Sequence, residues 1–413
     1  MIKIAVMGFG IVGEGVVEIV ETRKNKIAKK IDNEIEVKYI LDIRDFPDSP
    51  YKSKHIKDFN LILNDDEIDI VVECIGGAKI AYTYTKQLLQ AGKTVVTSNK
   101  ELVSKHSPEL LDIARDKNVN YLFEASVGGG IPIIRPIAQC LAANDINEIQ
   151  GILNGTTNYI LTQMVRENKS FEVSLKEAQE LGYAEADPTA DIEGHDVCRK
   201  ISILCSLSYG WQMDIEKIHT EGITKLSPAD IHFAEIYGGV VKLIARARRR
   251  IEDGKINAMV SPAILPTTHY LAHIDDVYNG IFIKGDIVGD LTFSGRGAGK
   301  YPTTSAVVAD IIDAAKHMSS RKWVHWTVPE TDMSADYQDM PVKYMVRIKV
   351  KKDGEKIIRD YFGNVNFIYS KEYTNEIAFV TPHYATEKKF TEKYNGITAS
   401  GLTVTSKLRI IED

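Results

Sequence analysis

The chain opens with a short apolar run, IKIAVM at residues 2–7, which leads directly into the glycine-rich segment GFGIVG at residues 8–13. A helical pattern follows, in which Val16, Val17 and Val20 recur on one side. A strand that turns through glycines into a helix is the opening unit of a parallel, doubly wound α/β sheet. The beginning of the chain therefore predicts that fold for the first part of the molecule.

Each glycine of this segment has a separate task. Gly8 lets the chain turn tightly, Gly10 lets backbone N–H groups approach a pyrophosphate, and Gly13 lets the helix pack closely on the strand. We place Ile11 and Val12, which open the helix, in the same cofactor-binding segment. A purely structural turn is the alternative, but the position between a first strand and a helix favours a dinucleotide site of the Rossmann type.

The second strand, EVKYIL at residues 36–41, should end beside the adenosine ribose of the cofactor. Asp42 would accept a hydrogen bond from a ribose 2′-hydroxyl, which favours NAD, whereas Arg44 would pair with a 2′-phosphate, which favours NADP. A solvated strand end is the alternative for both residues. The choice between NAD and NADP stays open at this point.

Buried strands and helices continue to alternate up to about residue 125. We predict strands at 69–74, 93–98 and 120–125, with helices at 79–91 and 106–117. In a parallel sheet of this kind, ligands bind at the carboxyl ends of the strands.

Two strand ends carry groups suited to ligands. Lys100, in the segment TSNK, lies just past a strand end, although an exposed loop lysine is the plain alternative. Glu124, in EASVGGG, precedes glycines that would turn several backbone carbonyls inward. Oxygen ligands of that type suit a hard cation, and a flexible hinge is the alternative.

Near residue 130 the segment VGGGIPIIRPI indicates a crossing into a second domain. There we predict strands at 146–153 and 280–293 and helices at 174–181, 194–208 and 230–250, with the cations of ARARRR (245–250) at the end of the last helix. A glycine loop and helix at 295–315 would return to the first domain, and Gly297 would let the backbone approach the cofactor. After a polar linker at 317–340, the order of elements is βαββαβ.

Composition excludes several classes of function. At 413 residues the chain is too long for one ordinary core, and its net charge of −6 gives no general attraction to nucleic acid or to anionic membranes. No apolar run is long enough to span a bilayer, and a strand pattern from Ile2 leaves no room for a signal peptide. The 4 cysteines include no CxxC pair, which is typical of reduced thiols in the cytoplasm.

The stretch GYAEADPTADIEGHDVCRK, residues 182–200, holds five carboxylates before a lysine. Asp196 and Lys200 are four residues apart on the predicted helix and so share a face, whereas His195 should face elsewhere. A solvated ion pair, contributing about 0.3–0.5 kcal/mol, is one interpretation. The other is a pocket that holds an ammonium group and moves a proton.

Five motifs occur in a recognisable order: GFGIVG at the start, TSNK at 97–100, NGTTNYIL at 154–161, residues 182–200 as above, and GRGAGKYPTTSAVVADI at 295–311. Together they resemble homoserine dehydrogenase across residues 1–316. The tail resembles an ACT domain in its order of strands and helices, without the usual Pro-Gly in the first loop.

The resemblance implies an NAD(P)-dependent enzyme that interconverts L-homoserine and L-aspartate 4-semialdehyde, on the route to threonine and methionine. It implies Lys200 as the catalytic proton donor and Lys100 as a second active-site lysine. It further implies substrate-binding roles for Glu185, Asp191 and Asp196, a cofactor contact at Gly182, and a sodium site at Glu124, Val127, Gly129 and Ile131. It also implies a homodimer or homotetramer and an amino-acid effector at the tail.

We therefore expect an NAD(P)-binding domain at 1–135 that takes back a helix at 302–316, an α+β catalytic and dimerisation domain at 136–300, and a small βαββαβ, ACT-like domain at 340–413. One alternative is another amino-acid dehydrogenase, such as an aspartate dehydrogenase. A second is a protein that senses a dinucleotide and an amino acid without turnover. An aspartate-semialdehyde dehydrogenase would need a nucleophilic cysteine, for which Cys140 is the one to check.

Overall fold

The computed structural model describes residues 1–322 and 324–412. The chain divides into two compact units. Unit 1 comprises Met1–Asp145, Ser202–Met213 and Gly295–Glu330. Unit 2 comprises Ile146–Ile201, Asp214–Ser294 and Thr331–Asp413.

The strands are β1 (Ile2–Met7), β2 (Ile35–Leu41), β3 (His55–Ile56), β4 (Ile68–Glu73), β5 (Thr94–Thr97), β6 (Tyr121–Leu122), β7 (Ile146–Ile152), β8 (His219–Thr220), β9 (Gly239–Arg249), β10 (Ile256–Pro266), β11 (Tyr278–Gly285), β12 (Gly289–Arg296), β13 (Ser334–Ala335), β14 (Tyr344–Lys349), β15 (Asn366–Tyr369), β16 (Glu376–Val380) and β17 (Val404–Ile410). The α-helices are α1 (Ile11–Thr22), α2 (Lys24–Ile31), α3 (Asn60–Leu63), α4 (Lys79–Gln90), α5 (Lys100–Asp116), α6 (Gly155–Glu167), α7 (Phe171–Glu180), α8 (Thr189–Ile192), α9 (His195–Tyr209), α10 (Pro228–Tyr237), α11 (Lys300–Lys316), α12 (Gly354–Phe362) and α13 (Glu387–Ala399).

Unit 1 is built on a parallel sheet of six strands in the order β3-β2-β1-β4-β5-β6. From the neighbouring strands β1 and β4, the chain adds strands outward in opposite directions. The glycine loop after β1 therefore lies at the topological switch point where such sheets bind ligands. The core strands are apolar on both faces, and Ile4, Val6 and Ile70 are fully buried. The predicted doubly wound sheet is confirmed.

Helix α11 packs beside α1 on this sheet, and its Val307 and Ile311 belong to the same buried cluster as Ile4 and Val6. Gly15 of α1 makes this close approach possible, because a Cβ atom there would lie 2.4 Å from Oγ1 of Thr304. The helix predicted after the 295–299 glycine loop therefore forms, and it lies in unit 1.

Two predicted elements of unit 1 differ from the structure. The strand expected at 120–125 is only Tyr121–Leu122, because the chain then tightens into a 3₁₀ turn at Glu124–Ser126. Helix α5 begins at Lys100 rather than at 106, since Asn99 caps it by accepting a hydrogen bond from the N–H of Leu102 at 3.0 Å. Lys100 is thus the first residue of a helix and is not in a loop.

Unit 2 contains a mixed sheet in the order β12-β11-β7-β9-β10-β17-β14-β16-β15, with β8 and β13 paired to the edge of β10. The strand expected at 280–293 is in fact the hairpin β11–β12, in which Gly289 adopts a φ of +73°. The turn residues at 286–288 interrupt the run that the sequence suggested.

The helix predicted at 230–250 is wrong over its second half. Helix α10 ends at Tyr237, where Gly238 adopts a left-handed conformation with φ +92°. The next segment is the eleven-residue strand β9, and most of ARARRR lies at its end instead of closing a helix. Pairing with β10 over its whole length and with β7 over part of it overrides the helical propensity of this segment.

The tail forms the predicted βαββαβ arrangement from β14 to β17 around its own buried cluster, which includes Val346, Phe379 and Phe390. Its sheet is continuous with the preceding one, because β17 pairs with β10 at Ala263↔Arg409 and Ile264↔Ile410. The division into three functional domains at the boundaries given above stays a prediction. No helix in the described part of the chain is long and apolar enough to cross a membrane.

Candidate active site

The glycine loop after β1 is tightly folded and leaves one open side. A Cβ atom on Gly8 would lie 2.6 Å from the carbonyl oxygen of Cys74, and one on Gly13 would lie 1.8 Å from the carbonyl oxygen of Gly8. Apart from its neighbours in the chain, none of the described residues has an atom within 4 Å of a Cβ placed on Gly10, and α1 begins immediately after it with Ile11 and Val12. This open space at a helix N-terminus fits a dinucleotide pyrophosphate.

Asp42, at the end of β2, is tied to the glycine loop. Its carboxylate accepts from the N–H of Phe9 at 2.7 Å, and Arg44 donates to the same carboxylate through Nε at 3.0 Å and Nη2 at 2.9 Å. Hydrogen bonds from Arg44 and from the backbone hold the pKa of Asp42 well below its usual range, so Asp42 is ionised. A cavity of about 430 Å³ opens beside this pair and is also lined by Lys52 and Lys57.

Glu73, at the end of β4, joins the two loops that follow β4 and β5. Its carboxylate accepts from the N–H of Ile75 at 2.6 Å and from the hydroxyl of Thr97 at 2.5 Å. The side-chain amide of Asn99 in turn donates to the carbonyl oxygens of Ile75 and Gly77. Burial raises the pKa of Glu73 to about 7. The result is a rigid frame directly before Lys100.

Glu124 is buried and fully engaged within the protein. One carboxylate oxygen accepts from the N–H groups of Ile133 and Ile134 at 2.6 and 2.9 Å, and the other accepts from the N–H and Nε of Arg135 at 2.9 and 3.0 Å. A carboxylate has about four such acceptor positions, so this side chain has little capacity left for a cation.

The turn after Glu124 is formed by buried backbone. Gly129 has a φ of +54°, and a Cβ atom there would lie 2.4 Å from the carbonyl oxygen of Gly297, which brings the 295–299 loop against it. Val127 and Ile131 flank the turn and are buried. In the described part of the chain, no group of three or more His, Cys, Asp or Glu side chains suits a metal. A cation at this turn would therefore rest on backbone carbonyl oxygens.

In unit 2, α9 presents the acidic and basic pair that the sequence singled out. Nζ of Lys200 donates to Asp196 at 2.7 Å and to the carbonyl oxygen of Leu153 at 2.7 Å. Both side chains are buried, with 7% of Lys200 and 3% of Asp196 exposed. The interpretation as a solvated surface pair is therefore wrong. Burial of two charges is unfavourable without excellent pairing, and here each charge is paired with the other.

Asn154 links this pair to the preceding acidic segment. Its side-chain oxygen caps α6 by accepting from the N–H of Thr157 at 2.9 Å. Its side-chain nitrogen donates to Asp191 at 2.7 Å and to Asp196 at 3.0 Å. Asn154, Asp191, Asp196 and Lys200 thus form one hydrogen-bonded cluster, which we call the lysine cluster.

The other polar residues of 182–200 are not joined to the lysine cluster by the hydrogen bonds described above. Glu185 is exposed, and Gly182 ends helix α7 with φ +74°. Asp187 accepts from the N–H and hydroxyl of Thr189 and so shapes the turn. Glu193 accepts from the hydroxyl of Thr224 at 3.0 Å, and His195 is exposed.

Sequence reasoning missed several contributors. Asn154 lies within the motif NGTTNYIL but was given no role in the site, and the carbonyl of Leu153 is invisible to any reading of side chains. Glu73 was not among the predicted site residues. A carboxylate at the carboxyl end of a central parallel strand is the signal that would have found it.

Comparisons with known proteins agree with this geometry. The profile of the family described as "Homoserine dehydrogenase, NAD binding domain" matches residues 8–124, and the profile described as "Homoserine dehydrogenase" matches residues 132–312. The homoserine dehydrogenase of Pseudomonas aeruginosa is 35% identical over 413 residues, which cover 97% of this chain and 95% of that protein. The match includes the tail.

Solved structures give the same result. The crystal structure of a homoserine dehydrogenase from Thiobacillus denitrificans superposes with a TM-score of 0.89 at 32% identity, covering 100% of this chain and 98% of that one. A hyperthermophilic archaeal homoserine dehydrogenase in complex with NADPH superposes with a TM-score of 0.64 at 28% identity, covering 76% of this chain and 97% of that one. The resemblance seen in the motifs is confirmed, and the chain belongs to the homoserine dehydrogenase family.

Proposed function

We propose that this chain interconverts L-homoserine and L-aspartate 4-semialdehyde, with the lysine cluster as the centre of proton transfer. The observation that carries the proposal is the buried pair of Asp196 and Lys200, held by Asn154 and by the carbonyl of Leu153. A bound nicotinamide cofactor would supply the hydride to the aldehyde carbon or accept it from the alcohol.

The lysine side chain answers a specific chemical need. Hydride addition to an aldehyde creates an alkoxide, and an ammonium group near that oxygen both stabilises the charge and donates the proton. Positioned acid–base groups of this kind contribute roughly a hundred- to ten-thousand-fold to rates. Asp196 orients Lys200 through its hydrogen bond. In the reverse direction Lys200 would act in its neutral form, after losing a proton to solvent, and would take the proton from the alcohol as the hydride leaves.

Carboxylates are the natural partners of the substrate α-ammonium group. Asp191 is half-buried beside Asn154, and we assign it to the ammonium site together with Glu185. Asp196 would hold substrate through its position next to Lys200. Lys100 would assist at the nicotinamide, because Asn99 fixes the helix start that carries it, and Gly182 and Gly297 would contact the cofactor through their backbones.

NADP is the cofactor that we propose for this chain, with NAD as the weaker partner. Both acceptor oxygens of Asp42 are already used by Phe9 and Arg44, which leaves little capacity for a ribose hydroxyl. The neighbouring cavity is lined by three cationic side chains, Arg44, Lys52 and Lys57, against two carboxylates, so it has an excess of positive charge. That charge suits a 2′-phosphate.

A sodium ion at Val127, Gly129 and Ile131 is a further part of the proposal. Glu124 and Asp310 are both buried, and Arg135 donates to each of them. Burial raises the pKa of Asp310 to about 8, so one negative charge in this region needs a proton or a cation. Glu124 would support the ion by fixing the turn.

Assembly and regulation are proposed on more general grounds. Edge strand β12 and the exposed apolar side chains of Ile287 and Val288 in its turn suit a contact with a second copy, giving a homodimer or homotetramer. The ACT-like tail would bind an amino-acid effector. The four free cysteines suit a reducing compartment, for which we propose the cytoplasm.

The test is an absorbance assay of reduced nicotinamide with the purified chain. L-Homoserine should support NADPH formation, and L-aspartate should not. Activity with aspartate alone would instead identify an aspartate dehydrogenase, and no activity with either substrate would favour a protein that senses its ligands without turnover.

Cys140 is the cysteine to check for an aspartate-semialdehyde dehydrogenase. It is exposed at the end of a π-helical turn, away from a helix N-terminus that would activate its thiol.

A further inference from the structure

Three helices of unit 1 enclose a surface groove on one side of the parallel sheet. Helices α1 and α11 pack side by side, and Arg23 alone separates α1 from α2. A cavity of about 770 Å³ lies between the three helices, and we call it the helix groove. All of its lining residues belong to unit 1, and none of them is part of the glycine loop, the 295–299 loop or the lysine cluster. The helix groove is therefore separate from the proposed active site.

The floor of the helix groove is apolar. Four of its side chains belong to the buried cluster around the sheet or pack against that cluster: Ile19, Ile27, Val308 and Ile312. On α11, the residues that face the groove at two successive turns are Ser305 and Ala309, whose side chains are small. These small side chains leave the space between the helices open, so apolar surface on the floor remains available to a ligand.

Three exposed cationic side chains stand at the rim of the helix groove: Arg23, Lys26 and Lys30. In the described part of the chain, none of the three forms an ion pair. The one carboxylate among the described lining residues is that of Glu18, which lies 2.9 Å from Nζ of Lys300 and accepts from the hydroxyl of Tyr301 at 3.1 Å. Although the chain has a net charge of −6, this rim is positively charged.

An apolar floor with a cationic rim is complementary to an anion that carries an aliphatic chain. Binding sites for small molecules measure about 300–1,000 Å³ and are mostly apolar, and the helix groove falls in that range. Its lining extends along α11 from Tyr301 to Ile312, which is about 16 Å at 1.5 Å per residue and matches an extended chain of roughly a dozen carbon atoms. A helix from another protein is about 10–12 Å across, and it would need a broader apolar surface than the four floor residues provide.

We propose that the helix groove binds a medium-chain fatty acid, with its aliphatic chain on the floor and its carboxylate among Arg23, Lys26 and Lys30. Guanidinium and ammonium groups are the natural partners of a carboxylate. Each methylene group that leaves water for the floor strengthens binding by roughly fourfold. This binding site goes beyond the proposed dehydrogenase function and does not depend on it.

Binding is tested on the full-length chain by isothermal titration calorimetry and thermal unfolding, with probes kept below the concentrations at which they form micelles. One dodecanoate should bind per chain with a dissociation constant on the order of 0.1 mM or lower, and it should raise the unfolding temperature. Octanoate has four fewer methylene groups, and dodecyltrimethylammonium carries the opposite charge. Both should bind at least tenfold more weakly than dodecanoate. The absence of dodecanoate binding, or equally tight binding of dodecyltrimethylammonium, would overturn the proposal whether or not the chain oxidises homoserine.

Two tryptophan variants locate the site by filling the helix groove. Ala309→Trp should weaken dodecanoate at least tenfold, and Ser305→Trp, at an exposed position one turn earlier on α11, should do the same. The second variant decides the question if the first one does not fold. Dodecanoate binding of wild-type strength in a folded tryptophan variant would place the ligand elsewhere. A wild type that ignores dodecanoate, with a particle mass in light scattering that falls in Ala309→Trp, would identify the groove as a contact between copies and overturn the proposal.

A charge variant tests the rim. The double replacement Lys26→Gln and Lys30→Gln should weaken dodecanoate at least fivefold and leave homoserine oxidation unchanged. Lys117→Gln is the matched control, because Lys117 is an exposed lysine of the same unit that follows the end of α5 and does not line the groove. Equal weakening by Lys117→Gln would show that only net charge matters and would contradict the assignment of the carboxylate to the rim.

Discussion

Replacement of Gly10 by alanine separates a ligand-binding glycine from a structural one. The backbone of Gly10, with φ −86° and ψ −165°, is an extended conformation that alanine adopts freely. Its added methyl group would meet no atom of the described residues within 4 Å, apart from its neighbours in the chain. Reduced entropy of the unfolded chain stabilises such a variant by about 0.4–1 kcal/mol, and a poorer helix cap costs a similar amount. Gly10→Ala should therefore unfold within a few degrees of the wild type.

The same methyl group would stand where the pyrophosphate approaches. Overpacking of a well-fitted contact costs about 1–3 kcal/mol, so the dissociation constant of NADPH should rise by roughly 5- to 150-fold. Gly13→Ala is the contrast, because its Cβ would lie 1.8 Å from the carbonyl oxygen of Gly8 and the loop must move. That variant should lose both stability and affinity.

NADPH fluorescence gives the dissociation constants, and thermal unfolding followed by circular dichroism gives the stabilities. The reasoning is refuted if Gly10→Ala binds NADPH as tightly as the wild type, since the open space at Gly10 would then not face the cofactor. A Gly13→Ala variant with wild-type stability would contradict the close backbone contact in the loop.

Three further changes test other parts of the site. Arg44→Ala should raise the KM for NADP at least tenfold and leave the KM for NAD within about threefold, and an equal effect on both cofactors in steady-state assays would refute the 2′-phosphate assignment. Burial raises the pKa of Glu73 to about 7, against 4.5 for an exposed carboxyl, so this side chain binds more protons in the folded protein than in the unfolded chain. Its contribution to the free energy of unfolding therefore falls as the pH rises from about 4.5 to 7. Glu73→Gln should show a smaller loss of unfolding temperature over that range than the wild type does. Asn154→Ser keeps a capping oxygen for α6 but loses the bonds to Asp191 and Asp196, so it should retain stability within about 1 kcal/mol and yet oxidise homoserine much more slowly. A variant that is both stable and fully active would show that Asn154 is only a cap.

Local patterns predicted those parts of the molecule that local physics decides. The turn at Gly8–Gly13 can be predicted because Gly8 and Gly13 each have a steric reason for their place, and the distance of 1.8 Å at Gly13 shows how strong that reason is. The spacing of four residues along α9 likewise places Asp196 and Lys200 on one face of the helix. Their burial was not visible, because it depends on the carbonyl of Leu153 and the cap residue Asn154, which are distant in sequence.

Long-range strand pairing explains the parts of the fold that the sequence did not predict. Strand β9 is rich in residues that also suit helices, and only its register with β10 from Gly239↔Pro266 to Arg249↔Ile256 decides in favour of a strand. The continuity of the tail with β10 rests on two residue pairs, which no pattern within either segment announces.

The central claim is that Lys200 transfers the proton that accompanies hydride transfer, and one comparison tests it most directly. Reduction of L-aspartate 4-semialdehyde by NADPH in a single turnover should be roughly a hundred- to ten-thousand-fold slower in Lys200→Met than in the wild type, with an unchanged dissociation constant for NADPH. An equal rate in a variant that is folded and binds NADPH normally would contradict the account.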